Sequence, residues 1–97
     1  MRKTSYFGKH KLSRAQYMSA KYYAMRYNEW QKAGEKDKVL IIETAAREAD
    51  EEIYEFILQS AIKNIPFYQL EQEGIPCGSD KFYNARRKFY YILAHKI

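Results

Sequence analysis

A chain of 97 residues has room for one hydrophobic core, but a second independent core would need roughly 50 further residues. We therefore expect a single domain, 1–97, too small for a deep enzymatic cleft. Its one cysteine, Cys77, excludes an internal disulfide and a cluster of thiolates around zinc. No apolar run approaches the ~18 residues of a membrane span, and the basic N-terminus lacks the apolar core of a signal peptide. We expect a cytoplasmic protein with no membrane partner.

The charge of the chain is unevenly distributed along its length. The net charge is +5, with seven Lys/Arg against one acid in residues 1–30 and five against one in residues 75–97. Residues 31–74 between them carry ten acids against five Lys/Arg. Two basic ends around an acidic middle are typical of a protein that binds a polyanion. Accidental segregation on a solvated surface is the alternative.

Residues 1–12 are basic and without periodicity, which predicts a flexible arm that either frays or lies along phosphates. Ser13 is a plausible N-cap for a first helix that runs to about Ala33 and ends at Gly34. Two apolar stripes are predicted on this helix, so that it contacts two neighbours. The first stripe comprises Ala15, Met18, Tyr22 and Met25, and the second comprises Tyr23, Tyr27 and Trp30.

A second and longest helix is predicted from about Asp37 to Lys63. Its apolar positions alternate spacings of three and four, as in a heptad seam: Val39, Ile42, Ala46, Ala49, Ile53, Phe56 and Ser60. The seam predicts an antiparallel helical hairpin over 13–63, although pairing with a second copy of the chain would serve it equally. The residue before Pro66 cannot easily remain helical, which ends this helix.

The last third of the chain predicts a helix-turn-helix over 66–97. A short helix from Pro66 to Glu73 ends at Gly74, and a basic, aromatic helix follows from about Ser79, the expected N-cap, to the C-terminus. Phe82, Ala85, Phe89 and Ile92/Leu93 form its predicted buried stripe. The predicted fold is therefore all-α, a small helical bundle with two long helices as a hairpin and a C-terminal helix-turn-helix.

The final helix is the candidate for recognition of double-stranded DNA, because a major groove about 12 Å wide admits one helix. Lys81, Asn84 and Arg87 are of the types that pair with guanine and adenine in that groove. The remaining candidates suit phosphate contacts or the edges of the surface; they are Tyr83, Arg86, Lys88 and Tyr91. This interpretation requires the cationic side of the helix to face away from the acidic middle of the chain.

Catalytic, cofactor and metal sites have little support in the sequence. His10 and His95 lie near the two ends of the chain without an obvious serine or carboxylate partner. The acids between Glu48 and Glu52 would be spread around a helix, without the spacing of a calcium-binding loop. No phosphate-binding glycine loop is present. We therefore expect no enzyme activity, no cofactor and no metal.

The stretch that begins at Ile75, IPCGSDKFYNARRKFYYIL, resembles the C-terminal part of small transcriptional regulators of Gram-positive phages and prophages, the late-gene activators of the RinA and ArpU type. Their C-terminal part looks like the helix-turn-helix of sigma factor region four. The opening stretch KTSYFGKHKLSRAQYMSAKYYAMRYNEW looks like the start of short phage proteins of the same kind. The resemblance implies an all-helical DNA-binding regulator. One departure is that Phe82 follows Gly74 about two residues later than in the commonest helix-turn-helix pattern.

A single motif of this kind usually binds weakly. We therefore expect either a homodimer through the long helices or assistance from RNA polymerase. The rival interpretation is a helical protein-interaction or structural module whose wide apolar faces bind another protein. RNA binding through the tyrosines is a third.

Overall fold

The C-terminal helix is the element against which most of the domain packs. The computed structural model describes residues 11–97, which form six α-helices and no strand. They are α1 (Arg14–Met25), α2 (Tyr27–Ala33), α3 (Lys36–Ala49), α4 (Tyr54–Lys63), α5 (Phe67–Gln72) and α6 (Ser79–Lys96). Helix α6 packs mainly against α3 and α1 and also contacts α4, so the predicted all-α class is confirmed.

The first predicted helix begins as expected but is interrupted. Ser13 caps α1 in a capping box with Gln16, and Gly34 ends α2 in the left-handed region at φ 77°. Arg26 separates the two helices with φ −90° and ψ 6°, without a proline or glycine to mark the break. The halves have different neighbours, since α1 packs against α6 and α4 whereas α2 packs against α3. Tertiary packing therefore divides a segment that local propensity would leave continuous.

The predicted first apolar stripe of that helix is wrong. Tyr22 and Met25 are 57% and 45% exposed, and Ala15 is also exposed. The fully buried positions of α1 are instead Ala20 and Ala24. Two small side chains one turn apart allow a neighbouring helix to approach closely, which apolar size alone did not suggest. The second predicted stripe is confirmed, because Tyr23 and Tyr27 pack against the core and Trp30 is buried.

The predicted long helix over 37–63 is also wrong, because it is two helices. Asp50 is extended at φ −166°, and its Oδ1 accepts hydrogen bonds from the backbone N–H groups of Glu52 (2.9 Å) and Ile53 (3.3 Å). The aspartate thereby offers the backbone an alternative to the helical ladder. The seam residues are nevertheless buried or half-buried, as predicted. They face α6 and α1 as well as α2, so their packing is wider than a two-helix hairpin.

The segment around Pro66 follows the prediction closely. Helix α4 ends at Lys63 and Asn64 is left-handed at φ 56°. Pro66 caps α5, and Gly74 follows α5 in the left-handed region at φ 91°. The Ile75 N–H donates to the Leu70 carbonyl at 3.2 Å, and both of these side chains are buried, which fastens the turn to the core. The predicted arm at 1–12 lies outside the described residues except for Lys11 and for Leu12, which packs against the core.

Replacing Ala20 by leucine should lower the free energy of unfolding by about 1–3 kcal/mol, because the added methylenes have no space in a fully buried position. The matched control is Ala15→Leu on the exposed side of the same helix, which should change it by less than about 0.5 kcal/mol. Urea unfolding followed by circular dichroism measures both. Equal effects of the two substitutions would contradict the burial described for α1.

Replacing Asp50 by alanine removes the acceptor for two backbone N–H groups and should cost about 1 kcal/mol of unfolding free energy. Asp50→Asn keeps an acceptor oxygen at that position and should cost less. Urea unfolding distinguishes the two variants. Equal losses would show that the charge of Asp50, and not its hydrogen bonding, stabilises the break between α3 and α4.

Candidate nucleic-acid interface

Helix α6 begins at Ser79 after a turn over residues 73–78. Gly78, not the predicted Ser79, occupies the N-cap position, and its carbonyl accepts the Phe82 N–H at 3.1 Å. The Phe82 ring lies 5.6 Å from that of Phe67, which connects α6 to α5. The predicted buried stripe of α6 is confirmed, with Ile92 half-buried beside it; its buried members are Phe82, Ala85, Phe89 and Leu93. Tyr90 is buried as well.

The side of α6 opposite this stripe carries Asn84, Arg87, Lys88 and Tyr91, which we call the outer stripe. Positions 84, 88 and 91 are spaced four and three apart and therefore share one side of the helix. Asn84 is exposed and the other three are half-buried. The Arg87 Nη1 donates to the Asn84 Oδ1 at 3.1 Å, so these two side chains form one polar unit. The predicted grouping of Asn84, Arg87 and Lys88 is present in the described structure.

The two ends of α6, in contrast, are attached to the acidic middle of the chain. The Lys81 Nζ lies 2.9 Å from the Glu52 Oε1 and 4.0 Å from the Asp50 Oδ2, at the break between α3 and α4. The hydrogen bond and charge of Glu52 raise the pKa of Lys81. At the other end the Lys96 Nζ lies 3.4 Å from the Glu48 Oε2. Lys81 is thus not grouped with Asn84 and Arg87 as the sequence predicted, because the acids beside it were assigned to a solvated helical face.

Arg86 and Tyr83 lie to one side of the outer stripe. With Tyr17 of α1, Arg87 and Tyr90 they line a cleft of about 290 Å³ between α1 and α6, which we call the basic cleft. The Arg86 Nη1 donates to the Ser60 Oγ at 2.8 Å, and its guanidinium carbon lies 5.1 Å from the centre of the Tyr83 ring. Sequence reasoning did not include Tyr17, although its position one turn before the buried Ala20 could have suggested it.

Tyr90 forms the floor of the basic cleft. It is 4% exposed, and its ring meets that of Tyr17 edge-on at 5.3 Å. Burial raises the pKa of Tyr90 to about 12, against the opposing charge of Arg86. At the α2–α3 contact, burial and the hydrogen bond from its hydroxyl to Glu43 raise the pKa of Tyr27 to about 12 as well.

Other groups with possible chemistry are less suggestive. Burial raises the pKa of the Cys77 thiol, which disfavours the reactive thiolate. His95 donates through Nδ1 to the Tyr91 carbonyl at 2.8 Å, at the C-terminal end of α6. His10 lies outside the described residues. Within residues 11–97, no three metal-ligating side chains come together, and no helix is long and apolar enough to cross a membrane.

These features define a small helical domain with a polar stripe along one helix and a basic, aromatic cleft beside it. No family model, no curated protein and no solved structure matches the chain. The resemblance to phage regulators of the RinA and ArpU type therefore stays a prediction, and the candidate site is described by its geometry alone.

The two shifted phenols give a test of this packing. Their pKa lies about two units above the ordinary value of 10, so the fold favours their neutral forms. The stability they contribute is complete below pH 10 and is lost as the pH rises towards 12. We expect part of the phenolate absorbance of the native protein to develop late in an alkaline titration. Tyr27→Phe and Tyr90→Phe should each reduce that late fraction, and an unchanged late fraction in both variants would contradict their burial.

Proposed function

We propose that this protein is a DNA-binding domain in which the outer stripe of α6 enters the major groove, and that it regulates transcription in a phage or prophage. The observation that carries the proposal is the distribution of charge along α6. Its ion pairs with the acidic middle involve Lys81 and Lys96, at the two ends of the helix. Between them, Lys88 has no ion pair within residues 11–97, and Arg87 bonds to a neutral amide.

The proposed contacts follow from the chemistry of these side chains. Asn84 and Arg87 are exposed enough to reach base edges, and Lys88 and Tyr91 flank them for phosphate contacts. Lys81 has a smaller part in this proposal than the sequence suggested, because its ammonium would have to leave Glu52. The resulting release of counterions from phosphates would supply most of the affinity.

In this proposal α5 and α6 act as a helix-turn-helix with an extended turn. The Phe67 contacts with Phe82 and Tyr83 support it, because they hold the short helix against the start of α6. The turn over residues 73–78 is longer than the three or four residues usual for the motif, which agrees with the late position of Phe82. A homodimer or contact with RNA polymerase would add to the affinity of one such motif.

A second candidate function, protein–protein interaction, is favoured by an open groove of about 790 Å³ beside α1. Its lining includes the exposed side chains of Tyr22 and Ile97, together with Trp30 at its base. Exposed apolar side chains around a groove are typical of binding surfaces. This candidate predicts a partner that is insensitive to charge changes on α6.

Fluorescence anisotropy with a short labelled random duplex, measured across a salt series, tests the DNA proposal. The affinity of the wild type should fall linearly with salt on logarithmic axes. Arg87→Ala combined with Lys88→Ala should lower that slope by about 2, since each lost phosphate contact contributes about 0.9. Lys32→Ala combined with Lys36→Ala removes the same charge from exposed positions near the α2–α3 connection and should keep the slope.

The contrary outcomes are distinct. Absence of duplex binding at low salt, with the fold intact by circular dichroism, would overturn the proposal in favour of protein interaction. Tighter binding to single-stranded RNA than to duplex DNA would favour the tyrosine-based alternative. Equal losses in the two double variants would show a response to net charge without a specific surface.

A further inference from the structure

The basic cleft contains a cation whose position is fixed by the fold. Arg86 is half-buried, and Ser60, which accepts its Nη1 hydrogen bond, is only 2% exposed. The guanidinium also lies over the rings of Tyr83 at 5.1 Å and Phe82 at 5.7 Å. A hydroxyl on one side and two aromatic faces on the other restrict the rotamers of this long side chain. Its orientation is therefore set before any ligand arrives.

The charge of Arg86 is not neutralised within the described part of the chain. No ion pair with a carboxylate involves it within residues 11–97, in contrast to Lys81 and Lys96 on the same helix. A guanidinium has five N–H donors in a rigid fork, and the bond to Ser60 uses one of them. The cleft lining adds the phenols of Tyr17 and Tyr83, whose hydroxyls can also donate, and it includes no carboxylate. This donor-rich, acid-free lining suits an anion.

The size and position of the cleft narrow the choice of anion. A volume of about 290 Å³ accommodates one phosphate group, whose oxygens match the fork of an arginine. Arg87 lines the cleft and also bonds to Asn84 of the outer stripe, so the cleft is continuous with that stripe. A nucleic-acid strand lying along the outer stripe would therefore bring a backbone phosphate to the mouth of the cleft.

We propose that the basic cleft between α1 and α6 is a phosphate-binding site in which Arg86 contacts one phosphate group, Ser60 positions Arg86, and Tyr17 completes the wall. In the context of the proposed function, on which this assignment of the ligand rests, that phosphate belongs to the DNA backbone. The same chemistry would also bind a free phosphate ion. The site fixes the register of α6 on the duplex and carries no base information.

The main test compares Arg86→Gln with Lys63→Gln in the duplex salt series. Lys63→Gln removes the same charge from an exposed position at the end of α4. Arg86→Gln should reduce the salt slope by about 0.9, the value of one phosphate contact, and Lys63→Gln should keep the wild-type slope. Arg86→Lys retains the charge and tests the fork separately, since it should keep the slope while weakening binding. It also guards against a loss of folding in the glutamine variant.

Ser60→Ala tests the positioning role. This variant keeps every charge but releases the guanidinium, so the slope should stay unchanged while affinity falls by about two- to tenfold. Ser60→Ala with wild-type affinity would remove Ser60 from the site, even if the substitution lowers thermal stability.

A second arm uses inorganic phosphate without DNA. The thermal unfolding midpoint of the wild type and of Lys63→Gln should rise in phosphate relative to chloride at equal ionic strength, and that of Arg86→Gln should not. If Arg87→Ala with Lys88→Ala lowers the duplex slope but Arg86→Gln does not, the cleft proposal is overturned and the proposed function stands. If the wild type binds no duplex, the proposed function fails. Stabilisation by phosphate that depends on Arg86 would then retain the cleft as a free-anion site, and its absence would overturn both proposals.

Discussion

The burial of one face of α6 is the constraint on which the rest of the structure depends. Phe82, Phe89 and Leu93 are fully buried, and the helices around them supply small side chains where contact is closest. Ala20 and Ala24 of α1, with Ala45 and Ala46 of α3, allow two helices to lie against the aromatic face of a third. Because that face is fixed, the opposite side of α6 is fixed as well. The outer stripe is therefore a rigid surface, which recognition by a helix requires.

Electrostatics divides α6 into ends and middle. The acids at the end of α3 and in the following break lie near Lys81 and Lys96, so these two cations are partly neutralised within the molecule. These pairs are solvent-exposed and contribute little to stability. Their effect on specificity is larger, because they concentrate the remaining positive charge on the central turns. The acidic middle of the chain thus shapes the candidate interface without forming part of it.

The basic cleft connects this surface to the core. Ser60 lies on α4, Tyr17 on α1 and Arg86 on α6, so three helices must be packed together before the cleft exists. Leu70 and Ile75 hold the turn before α6 against the same core. A site assembled in this way depends on the global fold, and variants that loosen the core would alter it without touching its residues. For that reason the control variants named for it lie at exposed positions.

The sequence alone determined the helical class, the ends of most helices and the buried stripe of α6. Local chemistry at Ser13, Gly34, Pro66 and Gly74 decides those ends within a few residues, and helical periodicity decides the stripe. The break at Asp50 was also readable, since an aspartate followed by two glutamates is a typical helix start. It was missed because the heptad spacing continues across it.

Only the tertiary structure decided the break at Arg26, the choice between the two stripes of α1, and the partners of the charged side chains. Ala20 and Ala24 are buried because α6 and α4 approach α1 on that side, and no local pattern specifies the direction of approach. Lys81 meets Glu52 across 29 positions of sequence, and Arg86 meets Ser60 across 26. Contacts at such distances depend on how the helices are arranged in space, whereas periodicity and capping describe one helix at a time.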